Sequence, residues 1–281
     1  MIKVQSSRIY ARLLKEKTAI FFIVFFVIFS LVIFLVPLLF DKNLFIAIDL
    51  DNNFQAPSFK HLFGSDKLGR DLFIRTLIAT QISIKISLLS GAIAVLIGTL
   101  YGTISGFCGG KIDNIMMRCV DGLCAIPFIF LAILFMSIFG RNFLNMFIAI
   151  ACVSWLDIAR IIRGQTMELK TKEYIDAARM AGLNNRQIIF KHIIRNLIGS
   201  VILYTTLSVP SVLSTSTFLG FLGLGIQPPM VGLGELISDG SQQIIMGYWW
   251  MLFFPCLFLF LILLSLFMIS NGIKNAISTK N

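Results

Sequence analysis

Long stretches without a charged side chain alternate with short charged segments along this chain. Residues 18–40, 86–110, 122–140, 196–234 and 240–273 contain no Asp, Glu, Lys or Arg. Each exceeds the roughly 18 residues that cross a bilayer core as a helix. The fourth stretch is too long for one span and ends rich in glycine and proline, so the pattern predicts a helix near 197–218 and an outer loop after it. A weaker span is predicted over 143–162. It carries Asp157 and Arg160 toward one end, where side chains spaced i,i+3 partly neutralise each other. The expected fold is an all-α polytopic membrane protein with about six transmembrane helices.

Composition agrees. Of 281 residues, 57% are apolar and 14% charged, which excludes a soluble domain with an ordinary core. Lysine and arginine set the expected orientation. Most of the 24 basic residues fall on alternate segments: Lys3, Arg8, Arg12, Lys15 and Lys17 before the first span, Lys111 and Arg118 in a turn, Lys274 and Lys280 in the tail, and a cluster from Arg160 to Arg195. Those segments are expected in the cytoplasm, with both termini inside. The net charge of +10 is therefore a topology signal, and its spread over separate segments argues against nucleic-acid binding. The first apolar run lacks a small-x-small cleavage site and is expected to be an uncleaved anchor. Five cysteines include no C-x-x-C pair and are expected to be small packing residues.

From the end of the fourth predicted span toward the fifth the chain reads Trp155-Leu-Asp-Ile-Ala-Arg160-Ile-Ile-Arg163-Gly164, then Glu173-Tyr174-Ile-Asp176-Ala177-Ala178-Arg179-Met-Ala-Gly182, then Phe190-Lys-His192. Gly182 suits the left-handed end of one short helix, and Asn184 with Gln187 suits a capping-box start for the next. Ala177, Ala178 and Ala181 are expected to leave one side without bulk, so that another protein surface can approach. The segment resembles the EAA loop of the membrane subunits of bacterial ABC importers. Asp176 stands in the acidic place, and Arg195 stands where that pattern has proline.

Two further stretches resemble one branch of those importers, the C-type permeases of oligopeptide, dipeptide and nickel systems. The first is His61-Leu-Phe63-Gly64-Ser65-Asp66-Lys-Leu-Gly69-Arg70-Asp71, with serine in place of the usual threonine. On physical grounds it is a turn, with Gly64 and Gly69 at positive φ and Asp66 capping a helix. The second is Phe218-Leu-Gly220-Phe-Leu-Gly223-Leu-Gly225-Ile-Gln227-Pro228-Pro229, after which Val231 and Leu233 replace the usual proline and tryptophan. The tail, Ser270 to Ser278, lacks that branch's acidic residues. In the second predicted span Gly98, Gly102, Gly106 and Gly110 recur every four residues, which predicts one close-packing helical face.

The resemblance implies a type I ABC importer permease fold. Its expected parts are a cytoplasmic N-terminus and anchor helix (1–40), an extracytoplasmic segment (41–81), and a transmembrane core (82–276) holding the coupling loop (160–195). It implies that Glu173, Tyr174, Asp176, Ala177, Ala178, Arg179, Gly182 and His192 couple the chain to an ATPase. Gly64, Asp66, Gly69, Arg70, Asp71, Gly223, Gly225, Gln227 and Pro228 carry the outer motifs. The implied partners are a second homologous permease, one or two ABC ATPase subunits, an extracytoplasmic substrate-binding protein and membrane lipid. The implied location is the bacterial inner membrane. The implied cargo is a short peptide, with nickel or another small solute as the alternative. ATP and magnesium belong to the partners, because Gly109-Gly110-Lys111 lacks the first glycine of a phosphate loop and is followed by Ile112 rather than Ser or Thr. An ion-coupled transporter needs ionisable groups at mid-membrane, which the five uncharged stretches do not offer. No Ser/His/Asp, paired-carboxylate or H-E-x-x-H pattern suggests an intramembrane enzyme. Asp157 is expected at the cytoplasmic end beside Arg160, serving folding or gating more than substrate choice.

Overall fold

The computed structural model describes residues 16–40 and 47–278. The basic residues Lys3, Arg8, Arg12, Lys15 and Lys280, used above for orientation, lie outside the described residues. Ten helices follow one another among the described residues: α1 (Lys17–Leu35), α2 (Leu72–Cys108), α3 (Gly110–Ala125), α4 (Phe128–Phe139), α5 (Phe143–Lys170), α6 (Glu173–Met180), α7 (Asn185–Ile188), α8 (Ile194–Leu219), α9 (Leu233–Gln243) and α10 (Trp250–Ser278). In lipid a backbone must satisfy its own hydrogen bonds, which is why apolar runs of this length are helical.

Five segments are long and apolar enough to cross a membrane: 17–39, α2, α5, the continuous run Asn185–Leu224, and α10. A sixth exists only if α3 and α4, bent by 81° at their junction, count as one broken span. The uncharged stretch 122–140 is therefore not one straight helix. Pro127 pushes Ile126 into extended geometry (φ −88°, ψ 122°). The 12 residues of α4 then reach only about 18 Å, short of a core about 30 Å thick.

The centre of the fold is α2 against α5. A methyl group at Gly98 would lie 2.8 Å from the Trp155 carbonyl oxygen, at Gly102 2.4 Å from that of Ala159, and at Gly106 2.6 Å from that of Arg163. Three glycines thus let two backbones touch. Gly110 does not join them: α2 ends at Cys108, Gly109 turns the chain at φ +67°, and Gly110 faces open space. The four-residue repeat outruns the helix that would put it on one face.

α1 lies at the periphery. Only Ala19 and Ile33 of it are buried, against α10 and α2: Phe29 packs on Phe258, and Gly272 leaves room for Ala19. α2 begins at Leu72, ten residues before the boundary expected at 82, and already contains the buried Arg75 (3% exposed). Cys108, Cys119, Cys124 and Cys152 face outward rather than into the packing expected of them.

Candidate functional site

The charged segment after α5 folds as a tight hairpin. Thr171 ends α5, and α6 runs for eight residues. Gly182 then takes φ +81°, and Leu183 N–H donates to the Ala178 carbonyl at 3.2 Å while Gly182 N–H donates to that of Arg179 at 3.0 Å, closing the helix as a Schellman cap does. Asn184 and Gln187 exchange side-chain and backbone hydrogen bonds at 2.8 and 3.0 Å, the reciprocal capping box that starts α7. A π-helical turn at Ile189–Ile193 leads directly into α8.

One face of this hairpin is core. Ile175, Ala178, Ile188, Ile193 and Leu197 close over Phe107, Ile158 and Ile162. Ala178 therefore points into its own chain, and the small outward surface is made by Ala177, Ala181 and Gly182 alone. With a helical period of 3.6, adjacent alanines cannot share a face once one of them is buried. Glu173, Asp176 and Arg179 are exposed, and Arg179 meets Asp176 at 3.1 Å, a surface pair of little energetic weight. Met180 is 85% exposed and Phe190 62%, so the hairpin offers a partner two unshielded apolar side chains. Tyr174 accepts from the Asn196 amide at 3.3 Å, and the same amide donates to the His192 carbonyl at 2.7 Å. That amide ties α6 to α8, and burial raises the Tyr174 phenol above its ordinary pKa.

Behind the hairpin Arg163 lies across the Asp113 carboxylate, with Nε and Nη2 each 2.5 Å from an oxygen, and Ser105 donates to the same group. This unit joins α2, α3 and α5. Asp113 was not anticipated. Its only sequence signal is an acid in the first turn of a helix that also exposes basic residues.

The two glycine-rich motifs sit at the other end of α2, about 50 Å away by its length. In the first, Asp66 accepts from the backbone N–H of Leu68 and Arg70 at 2.8 and 3.0 Å and from Arg70 Nε at 2.7 Å, with Arg75 Nε at 3.3 Å. Asp66 closes its own turn, and the helix cap is Asp71, which accepts from Ile74 N–H at 3.0 Å and pairs with His61 at 2.9 Å. Gly64 and Gly69 take φ +77° and +72° as expected; at Gly64 a side chain would also strike the ring of Trp250.

In the second motif the glycines enclose a carboxylate. Methyl groups at Gly220, Gly225 and Gly232 would lie 2.8, 1.5 and 2.7 Å from the oxygens of Glu235, which accepts from Ile226 N–H at 2.5 Å. Burial pushes the Glu235 carboxyl above its ordinary value, aided by Asp239 and opposed by the backbone donors. Gly223 makes the bend at φ +77°, while Gln227 and Pro228 are exposed. The two motifs face each other across a cavity of about 600 Å³ that reaches Arg70, Arg75, Gly223, Pro228 and Glu235, with Lys67 paired to Asp239 at 2.9 Å across it. Sequence reasoning placed a loop here and missed both α9 and Glu235. The signal lay in Gly220 and Gly225, two of the three glycines that leave the gap, while Gly232 lies outside the motif.

Apolar spans with a charged hairpin at one end and a glycine-wrapped carboxylate at the other define a multi-pass membrane protein with the fold of a type I ABC importer permease. The solved inward-facing MetNI methionine ABC transporter superposes with a TM-score of 0.60 over 74% of this chain and 96% of the other, at 19% identity, a likeness of fold alone. The chain belongs to the family of binding-protein-dependent transport system inner membrane components, which it matches over residues 94–280. It is 42% identical over 221 residues to the oligopeptide transport system permease protein OppC of Haemophilus influenzae, covering 79% of this chain and 71% of that protein. It is 35% identical over 224 residues to the dipeptide transport system permease protein DppC of Bacillus subtilis, covering 80% and 70%.

Proposed function

We propose that this chain is the permease subunit of an ATP-driven importer of short peptides in the bacterial inner membrane. The observation that carries the reading is the identity to oligopeptide and dipeptide permeases over about four fifths of the chain. These relatives favour peptide over nickel as cargo.

In this reading the hairpin faces the cytoplasm and seats in an ATPase subunit. Glu173, Tyr174, Asp176, Ala177, Arg179 and Gly182 form its outward surface with Met180, while Ala178 and His192 hold it to the bundle. The anchoring supports rigid coupling: Ile175, Ala178, Ile188 and Ile193 share one buried cluster with Ile158 and Ile162 of α5 and Leu197 of α8. A push on α6 is therefore delivered to two spans as a rigid-body displacement. ATP and magnesium are bound by one or two ATPase partners, a sibling permease completes the pathway, and a binding protein delivers peptide to the opposite end. The chain contributes positioning and movement, not bond chemistry.

The test is reconstitution with the sibling permease, ATPases and binding protein in proteoliposomes. Uptake of a labelled tripeptide that requires ATP and all subunits is expected. Uptake by the isolated chain on an ion gradient without nucleotide would overturn the proposal.

A further inference from the structure

Asp157 has Arg160 beside it, as its sequence neighbourhood suggests, but does not have it to itself. Arg160 lies 3.7 Å from it but only 2.7 Å from Asp121 of α3, so two carboxylates share one guanidinium and one negative charge is left over. The Asp157 side chain is 86% exposed. It lies 14 residues into α5, about 20 Å along a helix long and apolar enough to cross a membrane, and within such a span an ionised group facing lipid is strongly disfavoured. This surface of the subunit is therefore turned to a polar space or to protein.

A cavity of about 350 Å³ opens beside it between α4, α5 and α8, and Ser154, Tyr204, Ser208 and Thr215 line it with Asp157. Positions 204, 208, 211 and 215 recur at helical spacing along one face of α8. Three of the hydroxyl protons are already committed to their own helices. Ser154 donates to the Ile150 carbonyl at 2.8 Å, Ser208 to Thr205 at 2.9 Å and Thr215 to Ser211 at 2.9 Å. Those three oxygens are left with lone pairs, beside a surplus carboxylate. A primary ammonium, with three donors and no acceptor, is the complementary group.

We propose that Asp157 and these hydroxyls form a waypoint that receives an ammonium group of the peptide cargo, either its amino terminus or a lysine side chain. This rests on the peptide-importer reading and adds a specificity-determining residue to it. The surplus charge at Asp157 attracts the cation, and the serine and threonine oxygens accept its remaining protons.

The experiment compares wild type, Asp157→Asn and Asp157→Glu in the full reconstituted complex at saturating binding protein. The cargoes are Ala-Lys-Ala and Ala-norleucine-Ala. Asp157→Asn is expected to slow Ala-Lys-Ala at least threefold, and Asp157→Glu to restore most of that rate. A loss confined to the lysine peptide assigns the side-chain ammonium. An equal loss for both peptides, in a complex of unchanged subunit ratio and with rescue by glutamate, assigns the amino terminus. Unchanged rates overturn the proposal, as does loss of the sibling permease from purified Asp157→Asn complexes, which would make Asp157 a subunit contact. If wild type carries neither peptide with ATP, the importer reading itself falls; if wild type carries both and the variant matches it, only the waypoint falls.

Discussion

Single residues set the two ends of this molecule. Gly182 faces open space, so a side chain there meets no neighbour, and only its φ of +81° resists substitution. Gly182→Val should therefore leave the chain inserted while straining the bend by about 1–2 kcal/mol. Reconstituted complexes are expected to lose peptide-stimulated ATP hydrolysis, and normal stimulation would count against a coupling role. Glu235 makes a prediction with a sign. Its pKa is raised by folding, so the native state holds a proton that the unfolded chain has released, and the stability this gives is present below the ordinary carboxyl pKa of 4.5 and lost as pH rises through the raised value. The thermal midpoint of purified protein should fall over that interval, and Glu235→Gln should flatten the profile. An unchanged slope in the variant would place the titrating group elsewhere. At this scale the glycines at 64, 69 and 182 were legible, because positive φ excludes most other residues. Glu235 was not, since the groups that enclose it come from a different segment.

Elements differ in how far their sequence speaks for them. The stripe Gly98, Gly102 and Gly106 announces a close helix contact, but α5 as the partner follows only from the structure. Gly102→Leu should be destabilising by at least the 1–3 kcal/mol typical of overpacking, since the obstacle is backbone at 2.4 Å and cannot swing away. Gly122→Ala is the control. Nothing lies within 4 Å of that position in α3, so the protein should gain about 0.5–1 kcal/mol from lost unfolded-state freedom. Yield of monodisperse protein on gel filtration and its thermal midpoint separate the two cases, and equal behaviour would refute the glycine-mediated contact. The α3–α4 bend shows where apolar counting stops being informative. A charge-free run of 19 residues contains Pro127, and the run's length outweighed the proline in the sequence reading although the proline decides the geometry.

For the whole molecule, α2 fixes the distance between hairpin and motif cavity. Its two ends therefore belong to opposite sides of the membrane if the chain is a permease. In a cysteine-free background, Met180→Cys is expected to react with an impermeant maleimide in inside-out vesicles, and Gln227→Cys in right-side-out ones. Labelling of both from one side would contradict the orientation drawn from lysine and arginine. Exposure is asymmetric too. Beyond Thr18, α1 exposes only apolar side chains along its outer face, Phe21, Ile23, Val24, Val27, Ile28 and Leu31 among them, whereas α5 and α8 expose Asp157 and Ser211 and half-expose Ser154, Ser208 and Thr215. Such a surface needs a protein or water against it, which is the physical reason for expecting a second permease subunit.

The sequence alone determined that this chain crosses a membrane several times as helices, that a capped and glycine-ended hairpin interrupts the spans, and that glycines shape two other segments. These features depend on local propensities and on the cost of burying charge in hydrocarbon, which neighbouring residues report by themselves. Only the tertiary structure decided that Ala178 faces inward, that Arg160 prefers Asp121 to its own helix neighbour, and that Glu235 fills the space three glycines leave. Each of those outcomes is a competition between partners far apart in sequence, settled by distances that exist only once the helices are packed.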